Sequence, residues 1–209
     1  LIKIMKNLIF LVTILVFSCS QDEAIVDYAQ IDGQNIVHKI DSPISSKNLV
    51  HEIDYEKYPL LSDGIEYIHD KKYKKAIHIL NKAEMEYGIS TDIYMNRSAC
   101  YFQLKDYESS ISDLTKAIEI DSDYMALFIN RGLSYSYNKE FELAERDLNK
   151  AKKAFPKEPL VYINTASMHF QRGGTELGCL NLNKAIQLGY REKYKTNMAD
   201  QMLDKFCKN

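Results

Sequence analysis

The feature that most constrains this chain is a period. From Lys57 the sequence repeats every 34 residues without an insertion, through windows 57–90, 91–124, 125–158 and 159–192. A period of about 20–50 residues marks units that cannot bury an apolar face alone and therefore stack into an array. The eighth position of the windows holds Gly64, Ser98, Gly132 and Ala166, and the twentieth holds Ala76, Ser110, Ala144 and Gly178, all small. The eleventh holds Tyr67, Tyr101, Tyr135 and His169. The twenty-fourth is Leu80, Leu114, Leu148 and Leu182, and the twenty-seventh is Ala83, Ala117, Ala151 and Ala185. Small residues let two antiparallel helices approach, while the Tyr and Leu rows fill the space between neighbouring pairs. Tyr73, Tyr107 and Phe141 close the turn between the two helices, with Thr175 departing from that row, and Pro156 stops the second helix of the third window.

These rows resemble the tetratricopeptide repeat, and the resemblance covers residues 57–192. It implies an all-α fold, an α-α superhelix (solenoid) of four tandem helix-turn-helix units. The fourth window diverges most, with His169, Gly173-Gly174 and Gly178. The tail 193–209 spaces Tyr194, Met198, Met202, Leu203 and Phe206 amphipathically, which predicts a capping helix over the exposed apolar end of the array. The chain has 15 Tyr and no Trp, and the repeated aromatic positions account for part of that excess.

The N-terminus reads as an address. Lys3 and Lys6 precede an apolar run of ten residues, 8–17. A membrane-spanning helix needs about 20, so the run is predicted to be the apolar core of a secretory signal, with Met5 as its start. Val16-Phe17-Ser18-Cys19-Ser20 resembles the lipobox of bacterial lipoproteins, with Phe17 departing from its commonest form. The resemblance implies that residues 1–18 are removed and that Cys19 becomes a lipidated N-terminus. The other readings are an ordinary signal with a chance cysteine and an uncleaved anchor. Ser20, where Asp would retain an enteric lipoprotein at the inner membrane, implies the outer membrane. Gln21-Asp22-Glu23 reads either as an acidic export tag for surface display or as the start of a solvated tether. Residues 19–56 carry Asp32-Gly33, Asp41-Ser42-Pro43 and Ser45-Ser46 and are expected to be a flexible tether. Such a chain spans roughly 30–35 Å root-mean-square. The expected location is the cell envelope, lipid-anchored, on the periplasmic or the surface face.

Charge and motif content narrow the function. The formal net charge is −2, which gives no bulk basic field for nucleic acid. Removal of 1–18 takes two lysines from the 27 basic residues and nothing from the 29 acidic ones, leaving a mature chain at −4. A mildly acidic body of this kind is not expected to be drawn to anionic lipid by its own charge, so attachment is assigned to the lipid. There is no Gly-x-Ser-x-Gly, no phosphate-loop lysine motif and no dinucleotide fingerprint. His38, His51, His69, His78 and His169 form no metal-ligand spacing. No enzyme, cofactor, metal or small-molecule substrate is expected. Cys100, Cys179 and Cys207 read as buried free thiols, while a Cys179–Cys207 disulfide stays open as an alternative in an oxidising envelope.

In proteins of the resembled family the first helices line a concave groove that binds peptides. The sixth positions Asn96, Asn130 and Asn164 could hydrogen-bond an extended backbone, since an amide both donates and accepts. The blander reading is that Asn before Arg, as in Asn96-Arg97 and Asn130-Arg131, is a common feature of the repeat. Met95, Phe102, Tyr137 and Phe170 are expected to add an apolar and aromatic floor, with part of that set belonging to the core. The subclass that clamps C-terminal carboxylates uses two Lys or Arg residues and three Asn or basic partners; the matching places here are Leu61, Ile65, Asn96, Ala126 and Asn130, of which only Asn96 fits and none is a cation. Such binding is predicted against. Two functions follow: a membrane-anchored scaffold that holds an envelope protein or peptide, or an accessory subunit that docks to an envelope enzyme or secretion complex without catalysis of its own.

Overall fold

The computed structural model describes residues 57–208. The expected signal, Cys19, the tether and Asn209 lie outside the described residues. Those described contain ten helices and no strand. They are α1 Pro59–His69, α2 Tyr73–Tyr87, α3 Thr91–Gln103, α4 Tyr107–Ile120, α5 Met125–Tyr137, α6 Phe141–Ala154, α7 Pro159–Gln171, α8 Thr175–Gln187, α9 Tyr190–Tyr194 and α10 Met198–Phe206. None of these helices is long and apolar enough to cross a membrane.

The helices start on the sequence rows. Tyr73, Tyr107, Phe141 and Thr175 are the first residues of α2, α4, α6 and α8. Each first helix closes with the same backbone device. The carbonyls of Tyr67, Tyr101, Tyr135 and His169 accept the N–H five residues on, from Lys72, Asp106, Glu140 and Gly174. That geometry requires the intervening residue to take a left-handed backbone. Lys71, Lys105, Lys139 and Gly173 do so, with φ of 57°, 62°, 65° and 85°.

The small rows explain how each hairpin closes. A Cβ on Gly64 would lie 2.8 Å from Leu80 Cδ2, and one on Gly132 would lie 3.0 Å from Leu148 Cγ. The leucine of the second helix therefore seats directly against the backbone of the first. Leu80, Leu114, Leu148 and Leu182 are all buried, as are Ala83, Ala117, Ala151 and Ala185. Ser110, the one hydroxyl of the twentieth-position row, shares a buried hydrogen bond of 2.9 Å with Ser134 of α5. Truncating one of these leucines to alanine would cost about 2–5 kcal/mol.

The second helices α2, α4 and α6 each pack on the first helices to either side, as α2 does on α1 and α3. First helices also touch each other, α1 with α3 and α5 with α7. They form the inner layer of the array and the second helices the outer one.

Two buried ion pairs stitch the middle hairpins. Arg97 of α3 grips Asp113 of α4 through Nε–Oδ2 at 2.7 Å and Nη2–Oδ1 at 2.9 Å. Its Nη1 reaches back to α2, donating to Glu84 Oε2 at 2.5 Å and Asn81 Oδ1 at 2.8 Å. One repeat later Arg131 grips Asp147 at 2.7 and 3.1 Å and donates to Thr115 Oγ1 of α4 at 3.2 Å. Burial opposes the charge on Arg97, but the carboxylates of Asp113 and Glu84 overcome it and hold its pKa above the ordinary value.

The expected capping helix within 193–209 is α10, and the short α9 precedes it. Gly189, at φ 83°, stands before α9, and Lys195, at φ 47°, ends it in a left-handed turn. The cap is α10, which packs on α8. Cys179 of α8 and Cys207 just past α10 are joined in a disulfide, with Cα atoms 5.8 Å apart. Cys100 is a free buried thiol whose pKa burial pushes up to about 12. A second tie runs through Glu158, the N-cap of α7. It accepts from Leu160 N–H, from Tyr194 Oη at 2.6 Å and from Lys193 Nζ at 2.5 Å.

Candidate functional site: the inner helical face

The inner face is built by α1, α3, α5 and α7, and the structure distributes the expected groove residues unevenly along it. Asn96 is buried, and its Nδ2 donates to Asp92 O one turn back on its own helix at 2.8 Å. Its amide is thus partly used up locally. Asn130 is half-buried, and its Oδ1 has no hydrogen-bond partner. Asn164 is fully buried with neither Oδ1 nor Nδ2 partnered. A buried amide with empty valences costs free energy that the fold must offset elsewhere. The three asparagines share a register but not a chemistry.

The aromatic floor is not continuous. Phe102 is buried against Leu133, with Tyr107 and Tyr137 edge-on at 5.1 and 5.0 Å. Tyr107 and Tyr137 themselves meet at 5.4 Å. Phe102 and Tyr137 therefore belong to one knot that joins α3, α4 and α5, and Phe102 is packing core rather than open floor. Met95 packs against the neighbouring cluster around Tyr94, Leu114 and Leu127. Phe170 stands apart. Its ring stacks on Phe206 of α10 at 4.3 Å. It also lies over Gly178, where an added Cβ would come within 2.3 Å of the ring. The small residue and the cap draw Phe170 into the end seal.

Sequence reasoning passed over one polar bridge on this face. Gln171 Nε2 donates to Ser136 Oγ at 3.0 Å and to Ser167 Oγ at 3.4 Å, linking α7 to α5. Polar residues at inner-facing repeat positions on consecutive windows were the available signal. His169, in the aromatic row, is held below its ordinary pKa, chiefly by burial, and so favours the neutral form. Among the described residues no three His, Cys, Asp or Glu side chains gather as a metal site.

With this geometry established, the comparisons place the fold. Residues 91–124, which contain α3, α4, Arg97 and Asp113, match the model of the tetratricopeptide repeat. The structure is similar to TTC0263, a thermophilic protein of this repeat class from Thermus thermophilus. The TM-score is 0.62 at 12% identity, covering 71% of this chain and 79% of that one. It is similar to MamA from Desulfovibrio magneticus RS-1, with TM-score 0.57 and 14% identity over 75% of this chain and 95% of that one. It is also similar to a chain of the Cut9–Hcn1 hetero-tetramer of APC/C, with TM-score 0.58 and 15% identity over 72% of this chain but only 34% of the other. No curated protein matches by sequence. The chain is thus a helical solenoid with the tetratricopeptide-repeat fold.

Proposed function

We propose that the chain is a membrane-anchored scaffold that binds an envelope protein or peptide on its inner helical face, without chemistry of its own. The observation that carries the binding half is the pair Asn130 and Asn164. They sit in the same register of consecutive inner helices and retain amide atoms that no other side chain or backbone satisfies. Asn164 is wholly enclosed, so half-buried Asn130 is the one that can turn toward an extended partner backbone, which offers the donor its Oδ1 lacks. Asn130, the less buried of the two, is the first point of contact. The nearby Ser136–Gln171 bridge supplies further polar groups to a partner that displaces it.

The anchoring half rests on the lipobox-like Val16-Phe17-Ser18-Cys19. The Cys179–Cys207 disulfide supports the same compartment, because disulfides persist in oxidising envelopes and are rare in reducing cytosol. An outer-membrane location follows from Ser20 by the enteric sorting rule. Two measurements test the proposal separately. Metabolic labelling with a tagged fatty acid should mark the chain and fail for Cys19→Ala; unchanged labelling would remove the anchor. Pull-down from detergent-solubilised membranes, read by mass spectrometry, should recover a protein that Asn130→Ala loses while the helical circular dichroism stays intact. If the same protein is recovered with both forms, the inner face is not the binding surface.

A further inference from the structure

The net charge of the chain conceals where its cations sit. Residues 70–75, which span the α1–α2 turn and the first residues of α2, hold Lys71, Lys72, Lys74 and Lys75 against the single Asp70. All four lysines are exposed. Of the corresponding turns, two have the opposite balance and the last is even. Residues 104–109 hold Lys105 against Asp106 and Glu108, residues 138–143 hold Lys139 against Glu140 and Glu142, and residues 172–177 hold Arg172 against Glu176.

Local chemistry makes this placement unfavourable. The start of a helix carries partial positive charge from its unpaired N–H groups, so acids belong there and lysines do not. Glu108, Glu142 and Glu176 occupy the first turns of α4, α6 and α8. The first turn of α2 has no acid, and its N-cap, Lys72, offers no side-chain acceptor. Lys71 is also held at φ 57°, a backbone that lysine adopts at a cost. The one acid at this turn, Asp70, is tied to Lys72 at 2.7 Å, and both are exposed. Lys105 and Lys139 take the same left-handed backbone at their own turns, so what sets the first turn apart is the missing acid, replaced by exposed lysines that add nothing to packing. Such conflicts gather where a surface has work other than folding.

We propose that the α1–α2 turn is a contact for the anionic headgroup surface of the membrane that holds the chain. Each lysine brought to such a surface multiplies binding by roughly fivefold, and salt reduces the factor. Four lysines make a weak contact that matters only at high local concentration. A tether that keeps the body beside the membrane supplies that concentration. The patch thus orients the array and need not attach it. The source of the membrane rests on the anchor reading above; the patch itself does not.

The test uses the mature chain carrying Cys19→Ser, so that no lipid contributes, and vesicles of phosphatidylcholine alone or mixed with phosphatidylglycerol. Cosedimentation is expected with the anionic vesicles at low salt, at least tenfold above the neutral ones, and is expected to vanish at high salt. The variant Lys72→Glu/Lys74→Glu/Lys75→Glu should lose it, while its helix content is kept or raised because acids suit a helix start. Equal cosedimentation of the variant, or none by the parent chain, would overturn the proposal. So would binding of a labelled polyglutamate peptide without binding to vesicles, which would make the partner an acidic protein. Fatty-acid labelling of the unaltered chain reports on the anchor independently of all these results.

Discussion

The middle hairpins and the C-terminal end solve the same problem with different chemistry. Both must fix the angle between a first and a second helix and then hold that pair to its neighbour. In α3–α4 and α5–α6 a buried bidentate Arg–Asp pair does this, and each arginine also reaches the preceding second helix. In α7–α8 the matching positions are Thr165 and Asn181. Thr165 only bonds back to Val161 O, and Asn181 to Leu177 O. The end is held instead by the Cys179–Cys207 disulfide, the Phe170–Phe206 stack and the Glu158–Tyr194–Lys193 tie. An interior repeat has neighbours on both sides and can use a directional network that repeats with the period. A terminal repeat has one neighbour, so its seal comes from the tail, which lies outside the period.

The largest effect is expected from breaking the stitch. Arg97→Ala leaves Asp113 buried and Glu84 without its main partner, and losing one member of a buried pair costs about 3–5 kcal/mol. Chemical denaturation should show that loss, a smaller one for Arg131→Ala, and little for Thr165→Ala. Equal costs at all three positions would erase the contrast between middle and end. Acid sharpens it. Burial favours protonation of Glu84, but the hydrogen bonds from Arg97 and Tyr94 win and place its pKa below 4.5. Its contribution is present above that unfolded value and is lost as pH falls through the folded one. Base acts on both regions, since burial also raises the pKa of Tyr94, Tyr101 and Tyr107 in the middle, but it acts most on the other end. Burial raises the pKa of Tyr190 and Tyr194 above 10. Their contribution is complete below that value and declines as pH rises. Hydrogen exchange should therefore loosen the α2–α3 contact first in acid, and α9 and α10 first in alkali.

Next is the covalent seal. Cys207→Ser opens a loop whose ends are 28 residues apart, at a cost of about 2–4 kcal/mol. A reducing agent should reproduce this in the parent chain and do nothing further to the variant. Protection of α10 should fall while that of α3 stays unchanged. A smaller effect of about 1–3 kcal/mol, typical of overpacking, is expected for Gly178→Ala, which drives a methyl into the Phe170 ring. Aromatic circular dichroism should report the loss of the Phe170–Phe206 stack. Gly64→Ala is the control in the first hairpin: its clash is with leucine and should leave the aromatic signal alone.

The same contrast explains what the sequence made legible. The leucine and alanine rows that recur every 34 residues mapped onto buried side chains because each repeat meets the same neighbours, while the row of Tyr67, Tyr101, Tyr135 and His169 is half-buried. Leu80, Leu114, Leu148 and Leu182 are the clearest case. The Arg–Asp stitches recur only in the two middle windows and could have been found there by pairing the seventh and twenty-third positions. The end was not legible in this way. Nothing in the order of residues says that Phe170 leaves the inner face for Phe206, because that contact depends on how α9 and α10 fold back. The candidate site was half legible. Periodicity placed Asn96, Asn130 and Asn164 in one register, but only the structure separates the amide spent on Asp92 O from the two with empty valences.

The smallest effect concerns the turn device that the two regions share. Lys71, Lys105, Lys139 and Gly173 occupy one repeat position and one left-handed backbone. Only glycine takes that backbone without a Cβ penalty, which is about 1–2 kcal/mol per residue for other types. Glycine also loses more chain entropy on folding, roughly 0.5–1 kcal/mol. The difference leaves Lys105→Gly and Lys139→Gly each stabilising by a few tenths of a kcal/mol to about 1 kcal/mol. Gly173→Lys should be destabilising by a similar amount, which turns the terminal hairpin into a measure of the strain in the middle ones. If Lys71→Gly stabilises like its two counterparts yet weakens vesicle binding, strain at the first turn is being kept for charge. Should all three lysines prove neutral, their left-handed turns carry no strain, and the case for the basic patch narrows to the missing acid at the start of α2.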